Sequence, residues 1–561
     1  MSRSTFRWLR GALTAVAVAI AVAIMIPTAT SAQGSGHDGH GHGHGRSDSA
    51  SSGKVKTASG WVRGVTNTHY AQYLGIPYAA PPVGSRRFQP PQPAPHWSGV
   101  RDASTFGNRC VQGNGWDPGY ETPILTEDCL YLNVYVPKHV RRNAPVMVWI
   151  HGGGFTGGAG QDTDPRKYIE QTGAVHVTIN YRLGALGFLD LPQLRAAGAG
   201  AGNFGLLDQQ AALRWVHRNI AAFGGNPRNV TIAGQSAGGS SVCDQIASPT
   251  ARGLFQRAVI MSGGCSLTSQ ASADQAGQAF VTALSCTDAA AVLSCLRDKS
   301  TAQILHAQQT SSPGVRPAVG GTAFPLDPAT AVATGKINRV PVMNGQVHDE
   351  SRLFVFQSND YLGHPVTAAG YQSAVRASWP DAADQILAAY PLSDYPSPSI
   401  ALATVQSDAG SYARAALDRQ FAKWVPTHAY EFAEEGTPQF YSIYRLQQAG
   451  GAAASFDFGA THVDDLGYLW EYLGHTLPYS DDELELSDQM ITFWSQFQRS
   501  GDPNSSATPY WPAYRNSGGS WMELRGCTTS EAGAQPPAAC SAASSNYLTD
   551  HKLALWASVL G

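Results

Sequence analysis

The sequence predicts an α/β fold in which a mainly parallel central sheet carries helices on both faces, and three observations lead to it. Pro145-Val-Met-Val-Trp-Ile150 is apolar throughout, as a strand covered on both faces must be. Residues 205–223 carry apolar side chains at Leu207, Ala211, Trp215, Val216, Ile220 and Phe223, a helical period, and Gly224-Gly225-Asn226-Pro227 stops them. A β-branched strand, Val230-Thr231-Ile232, follows at once. Alternating strands and helices of this kind lay successive strands side by side and parallel.

The other elements fit this frame in chain order. Residues 60–64 read as a small strand and turn, and residues 73–84 as a proline-fixed loop. An 18-residue loop holding Trp116 lies between Cys110 and Cys129, and residues 127–137 form a strand with alternating faces. A third buried strand spans residues 174–180 and leads into Tyr181-Arg182-Leu183-Gly184; another spans residues 257–262. Residues 267–335 are helical and rich in loops. Strand signals return at residues 340–344 and 439–445, and residues 481–499 form an amphipathic helix. There is no internal repeat of fixed period.

Composition sets the class and the address. The chain is 43% hydrophobic and 14% charged with a formal net charge of −3, which supplies a large core. That balance leaves no basic surplus for nucleic acid or an anionic membrane. Arg3, Arg7 and Arg10 precede an apolar run from Ala12 to Ile26, and small residues end at Thr30-Ser31-Ala32. This reads as a secretory signal peptide over residues 1–32; the run is short for a membrane anchor, and no later segment is long enough to span. Residues 33–54, rich in His, Gly and Ser, read as a flexible, solvated linker. His37, His40, His42 and His44 within it could chelate a transition metal loosely. Residues 55–561 remain as one domain.

Eight cysteines behind an export signal imply disulfides, although eight allow 105 connectivities. Short separations favour Cys110–Cys129, Cys286–Cys295 and Cys527–Cys540, leaving Cys243 and Cys265 as a fourth pair. No C-x-x-C spacing offers a zinc or redox site.

Two segments carry chemistry. Gly234-Gln-Ser-Ala-Gly238 leaves the strand at 230 and enters a helix, the context in which G-x-S-x-G presents its serine, Ser236, on a strained turn above a sheet. With 59 glycines in 561 residues the motif is weak alone. The second is His151-Gly152-Gly153-Gly154-Phe155, which follows a buried strand directly. A glycine run there is entropically costly unless something approaches the main chain closely. It matches the loop that donates N–H groups to an oxyanion, so the amides of Gly153, Gly154 and Ala237 are the expected donors. Phe155, Trp116 and Gln235 are candidate substrate contacts.

Six separated motifs occur in one order: Gly75-Ile-Pro-Tyr-Ala79, Glu127-Asp-Cys-Leu-Tyr-Leu-Asn133, His151-Gly-Gly-Gly-Phe155, Gly202-Asn-Phe-Gly-Leu-Leu-Asp-Gln209, Gly234-Gln-Ser-Ala-Gly238 and Gly501-Asp-Pro-Asn504. Over roughly residues 55–555 the chain thereby resembles the type-B carboxylesterases, the branch of the α/β-hydrolase fold that includes cholinesterases and fungal lipases. The resemblance implies that Asn344-Gly-Gln-Val-His-Asp-Glu-Ser351 is the acid loop, with Glu350 the acid and Asp349 its neighbouring competitor. It implies that Gly459-Ala-Thr-His-Val-Asp-Asp-Leu466 carries the base, His462. The order Ser…Glu…His is that of α/β hydrolases. His306, His348 and His475 lack such a setting and read as surface or core residues.

The same resemblance implies two ion pairs of the scaffold, Arg87–Glu127 and Arg182–Asp208, and matches the loops Cys110–Cys129 and Cys286–Cys295 to its two short disulfide loops. Where the family often has Glu, this chain has Gln235, which weakens the case for a cationic substrate. The implied activity is a secreted serine carboxylesterase acting on small-molecule esters of short to medium acyl chain, without metal or organic cofactor. A lipase or polyester hydrolase of the same fold, or a non-catalytic adhesion-type member, are the alternatives the resemblance leaves open. Oligomeric state is not encoded in any motif.

Overall fold

The computed structural model describes residues 53–113, 123–140, 142–198, 200–438, 455–472, 476–515, 519–526 and 541–561. The expected signal peptide and nearly all of the linker, Trp116, His475, the 439–445 strand and the Cys527–Cys540 pair lie outside those residues.

The molecule is organised on one sheet of eleven strands. In chain order these are β1 Val65–Thr66, β2 Tyr70–Pro77, β3 Tyr131–Pro137, β4 Ala144–Ile150, β5 Val175–Ile179, β6 Gly225–Gln235, β7 Arg257–Met261, β8 Val342–Val347, β9 Thr427–Phe432, β10 Trp521–Leu524 and β11 Ala542–Ser544. Across the sheet they lie in the order β11-β10-β9-β8-β7-β6-β4-β5-β3-β2-β1. Every pairing from β5 through β4, β6, β7, β8 and β9 to β10 is parallel. The flanking pairs are antiparallel. Lys54–Thr57, Gly60–Arg63 and Val100–Asp102 form a separate small sheet.

Side-chain alternation divides the core into two layers. Val146, Val148 and Ile150 of β4, Val230 and Ile232 of β6, and Ala258 and Ile260 of β7 pack on one face. That face is covered by α1 (Phe204–Asn219) and α2 (Ala237–Ala247), through Leu213, Val216, Val242 and Ile246. Met147, Trp149, Ala233, Val259, Met261 and Met343 point the other way and meet Met490, Trp494 and Phe497 of a late helix, Asp481–Ser500. The all-apolar strand at 145–150 is therefore covered on both sides, as its composition requires.

Several boundaries differ from the sequence-based expectation, for physical reasons. The segment 73–84, expected to be loop, is strand as far as Pro77. Pro77 ends β2 rather than interrupting it, and the register shifts between Tyr73 and Ile76, with Gly75 at φ +65° between them. β8 begins at Val342, after Pro341, whose missing N–H cannot join the ladder, and runs on to Val347. Elements beyond the expectation include β9, which pairs in register with β8 from Val342–Thr427 to Val347–Phe432, the strands β10 and β11 at one edge of the sheet, and the long helix Pro398–Phe421.

Both expected ion pairs form. Arg182 grips Asp208 in a fork, with Nε–Oδ2 and Nη2–Oδ1 both 2.7 Å, and the pair is almost wholly buried. Arg87 grips Glu127 the same way, at 2.8 and 2.5 Å, and its Nη1 also donates to the carbonyls of Leu296, Arg297 and Lys299. Cys110–Cys129, Cys243–Cys265 and Cys286–Cys295 are bonded, so the pair left by elimination is real. Cys243 sits in α2, and its bridge ties that helix to the segment after β7.

Asp208→Ala strands the Arg182 guanidinium in the core. The expected cost is about 3–5 kcal/mol of unfolding free energy, read as a lowered denaturation midpoint in urea; a midpoint within the error of the parent would mean the pair holds nothing together.

Candidate active site

Parallel strands emit their following loops at one edge, and the candidate residues gather there. β4 ends in the glycine run, β6 in Ser236, β7 in Ser262, and β8 leads into Glu350.

Ser236 sits at φ +57°, ψ −123°, a left-handed conformation a side chain adopts only under constraint. Its N–H donates to Met261 O at 2.9 Å, and its carbonyl accepts from Ser240 N at 2.9 Å as α2 begins. The turn closes because its flanks lack side chains. A Cβ on Gly234 would stand 2.5 Å from the Gly238 backbone, and one on Gly238 would stand 2.0 Å from Ile150 O. Ser236 thus occupies the N-terminus of α2, where unpaired N–H groups and the helix dipole favour negative charge.

The glycine run lies beside this turn. A Cβ on Gly152 would be 3.1 Å from Ser236 Cβ. Gly153, Gly154 and Phe155 hold φ of +99°, +63° for the phenylalanine and +62° for the glycine between them. The loop is closed by Thr156 and Gly157 N–H groups on Gly153 O, both at 3.0 Å, and by Arg316 Nη1 on Gly154 O at 3.2 Å. The amides of Gly153 and Gly154 donate to nothing among the described residues. His151, buried beneath the run, places Nδ1 2.8 Å from Gly152 O and stacks on Tyr181. Burial pushes its imidazole down to about 4, so it is neutral near pH 7.

The acid and histidine loops are joined over more than a hundred residues of sequence. Asp349 N donates to Ala460 O at 2.8 Å, Ala460 N to Asp349 Oδ2 at 3.1 Å, and Leu353 N to Thr461 Oγ1 at 2.9 Å. This union sets His462 Nδ1 2.5 Å from Glu350 Oε2. The other ring nitrogen, Nε2, is buried without a hydrogen-bond partner among the described residues. Burial would raise the Glu350 carboxyl, but His462, the Ser262 hydroxyl and Arg414 outweigh it and hold that carboxyl below its ordinary range. Asp349, the competitor, is spent on Ala460 N and on Arg352, 3.0 Å away.

Of the candidate substrate contacts, Phe155 packs edge-on against Phe188 at 5.3 Å and is half-buried, and Trp116 lies outside the described residues. Gln235 turns inward: it is 3% exposed, and its Nε2 donates to His462 O at 2.7 Å. Three further residues stand near the pair, and of these only Asp465 lies within a motif of the sequence, the loop at 459–466. Ser262 ends β7 at φ +49°, Arg414 donates to Asn344 Oδ1 at 3.0 Å, and Asp465 accepts from Tyr430 OH at 3.1 Å. Burial first, then Glu350, pushes the Asp465 carboxyl up to about 7. Only Asp465 had a sequence signal, its place one helical turn after His462.

Behind the acid loop lies a buried network. His551 Nδ1 is 2.7 Å from Asp408 Oδ1 and its Nε2 meets Glu431 Oε1, while the His348 ring stands 4.7 Å away. His348, Glu431 and His551 bring ligand-type atoms within 4.8 Å of one another, a spacing a divalent ion accepts. Both His551 nitrogens are nevertheless taken by carboxylates, and His348 Nδ1 stands 3.4 Å from Asp349 Oδ1, so the cluster reads as an ion-pair network. Burial lowers the His551 imidazole, but Glu431 and Asp408 reverse this and carry it up to about 10.

A serine elbow ending the central strand of such a sheet defines the α/β-hydrolase class. The chain belongs to the carboxylesterase family, whose model matches residues 51–538, and it is a carboxylic ester hydrolase. It is 34% identical over 470 residues to acylcarnitine hydrolase of Mus musculus, covering 78% of this chain and 81% of that one. It is 32% identical over 483 residues to para-nitrobenzyl esterase of Bacillus subtilis (strain 168), covering 82% and 92%. A solved PNB esterase superposes with a TM-score of 0.69 at 31% identity, covering 84% of this chain and 96% of that chain. No helix among the described residues is long and apolar enough to cross a membrane.

The His551 network predicts an alkaline limit to stability. Its imidazolium is favoured in the folded state, so its contribution is full below the unfolded value near 6.5 and is lost as pH rises toward about 10. The melting temperature of the parent should fall over that interval more steeply than that of His551→Gln, and parallel curves would contradict the assignment.

Proposed function

We propose that the chain is a secreted serine esterase that hydrolyses small carboxylic esters of short to medium acyl chain through Ser236, His462 and Glu350. The observation that carries this is the state of His462. One ring nitrogen is held by a carboxylate and the other has no hydrogen-bond partner among the described residues, on a loop bonded to the residue before Ser236.

A neutral serine hydroxyl is a weak nucleophile and needs a base within hydrogen-bond reach. His462 Nε2 takes the Ser236 proton as Oγ attacks the ester carbonyl, while Glu350 fixes the tautomer with its proton on Nδ1 and stabilises the imidazolium that forms. The carbonyl oxygen becomes an oxyanion, which the amides of Gly153, Gly154 and Ala237 receive. Each such donor is typically worth about 3–4 kcal/mol of barrier. The tetrahedral adduct collapses, His462 returns its proton to the departing alkoxide, and the acyl group stays on Ser236. Water then repeats the sequence: it gives a proton to His462 as it attacks the acyl carbonyl, and the second adduct collapses as His462 returns that proton to Ser236 Oγ and the acid leaves.

Three features support the remaining parts. The residue before Ser236 is an uncharged Gln235 rather than a carboxylate, which weakens the case for a cationic alcohol. The short Cys110–Cys129 span favours soluble esters over an interfacial lipid. Three disulfides, together with the charged and apolar N-terminus, support export.

A chain-length series of nitrophenyl esters tests the proposal. The parent should prefer short to medium acyl groups, and Ser236→Ala should lose about 10³-fold or more in kcat. Turnover retained in Ser236→Ala would remove the nucleophile, and activity that rises sharply on a lipid emulsion would favour a lipase.

A further inference from the structure

The side chain before the nucleophile is inside the site's scaffold. Gln235 Nε2 donates to His462 O at 2.7 Å. Its Oε1 faces the glycine run, where a Cβ on Gly152 would lie 3.1 Å from it. One carboxamide therefore links two segments, the elbow by covalent attachment and the histidine loop by a hydrogen bond, and lies beside a third, the glycine loop. His462 has two restraints as a result. Glu350 holds the ring at Nδ1, and Gln235 holds the main chain of the same residue.

Resting on the triad proposed above, we infer that Gln235 is a positioning residue that sets the spacing between His462 and Ser236, and that an uncharged donor is required there. A restraint anchored on the residue adjoining Ser236 measures that spacing directly. A carbonyl oxygen accepts only, so the side chain facing it must donate. Gln supplies an N–H that does not titrate. A buried Glu of the same shape donates only while protonated; once ionised it sets an anion against the carbonyl oxygen and loses the bond.

The charged and titratable groups around this point are His462, Asp464 and Asp465 on the histidine loop and Asp349 and Glu350 on the acid loop. Arg414 acts on Glu350, Tyr430 bonds Asp465, and His151 heads the glycine loop. Parent and variant share all of them. The ratio of their kcat values at each pH therefore isolates the substituted side chain.

Gln235→Leu, which keeps the bulk and removes the donor, should lower kcat about 10- to 100-fold, as a misplacement of about 1 Å does, with KM changed by less than about threefold. Gln235→Glu should approach the parent at the acid end of the range, and its kcat relative to the parent should fall as pH rises and the carboxyl ionises. If the side chain acted only through charge, a carboxylate would stabilise the imidazolium and shift the His462 limb upward, so the ratio would rise with pH. That slope, or a Gln235→Leu kcat within twofold of the parent, would overturn the inference. His462→Ala separates the two levels: an active His462→Ala removes the triad itself, whereas an inactive one beside an unimpaired Gln235→Leu removes only the positioning role. Melting temperatures near the parent value are expected for Gln235→Leu and, at the acid end of the range, for Gln235→Glu; a kcat loss in Gln235→Leu matched by an equal loss of folded protein would count against the inference.

Discussion

The architecture depends on a backbone contact that no side chain could survive. The turn at Ser236 runs so close to the end of β4 that a Cβ on Gly238 would overlap Ile150 O. That proximity brings the serine and the glycine run from β4 to the same place, and it forces Ser236 into a left-handed conformation. Conformations of this kind typically cost about 1–3 kcal/mol and persist only where the surroundings over-determine them. Here the surroundings are the parallel register of β4, β6 and β7, two hydrogen bonds on the Ser236 backbone, and a disulfide from α2 to the segment after β7.

On the other side of the site, order is built from polar contacts. The acid and histidine loops share reciprocal Asp349–Ala460 bonds and the Leu353–Thr461 bond, and Gln235 extends that union to the elbow. Asp349 and Glu350 show how adjacent carboxyls diverge in task. Asp349 is consumed by a backbone amide and Arg352, whereas Glu350 is aimed at the imidazole. The His551 network anchors the C-terminal segment to β9 and to the helix Pro398–Phe421, just behind the acid loop. The loop that carries Glu350 is thus backed by a second set of buried charges that never reach the reaction.

Legibility in the sequence tracked how local each signal was. The strand at 145–150, the helix after 204, the elbow and the glycine run were readable because each rests on neighbours within a few residues. The strand at 427–432 was not, since Thr-His-Ala-Tyr-Glu-Phe mixes polar and apolar residues and becomes a strand by pairing with β8. Residues 73–77 signal a turn locally through proline and glycine, while antiparallel pairing with β3 accommodates Gly75 at a register shift and Pro77 at the strand's end. Gln235 reads as a substrate contact from its place beside Ser236 alone; the direction of its side chain depends on a loop 227 residues away.

By itself the sequence pointed to the class of fold, to a serine on a strained turn beside a glycine run and, through family resemblance, to the two loops at 344–351 and 459–466. Those depend on residue type and short-range spacing, which a linear reading preserves. Only the tertiary structure decided which of two adjacent carboxyls faces the imidazole, that Cys243 and Cys265 join, and that Gln235 holds the histidine loop, because each is a distance between segments whose separation along the chain carries no information about their separation in space.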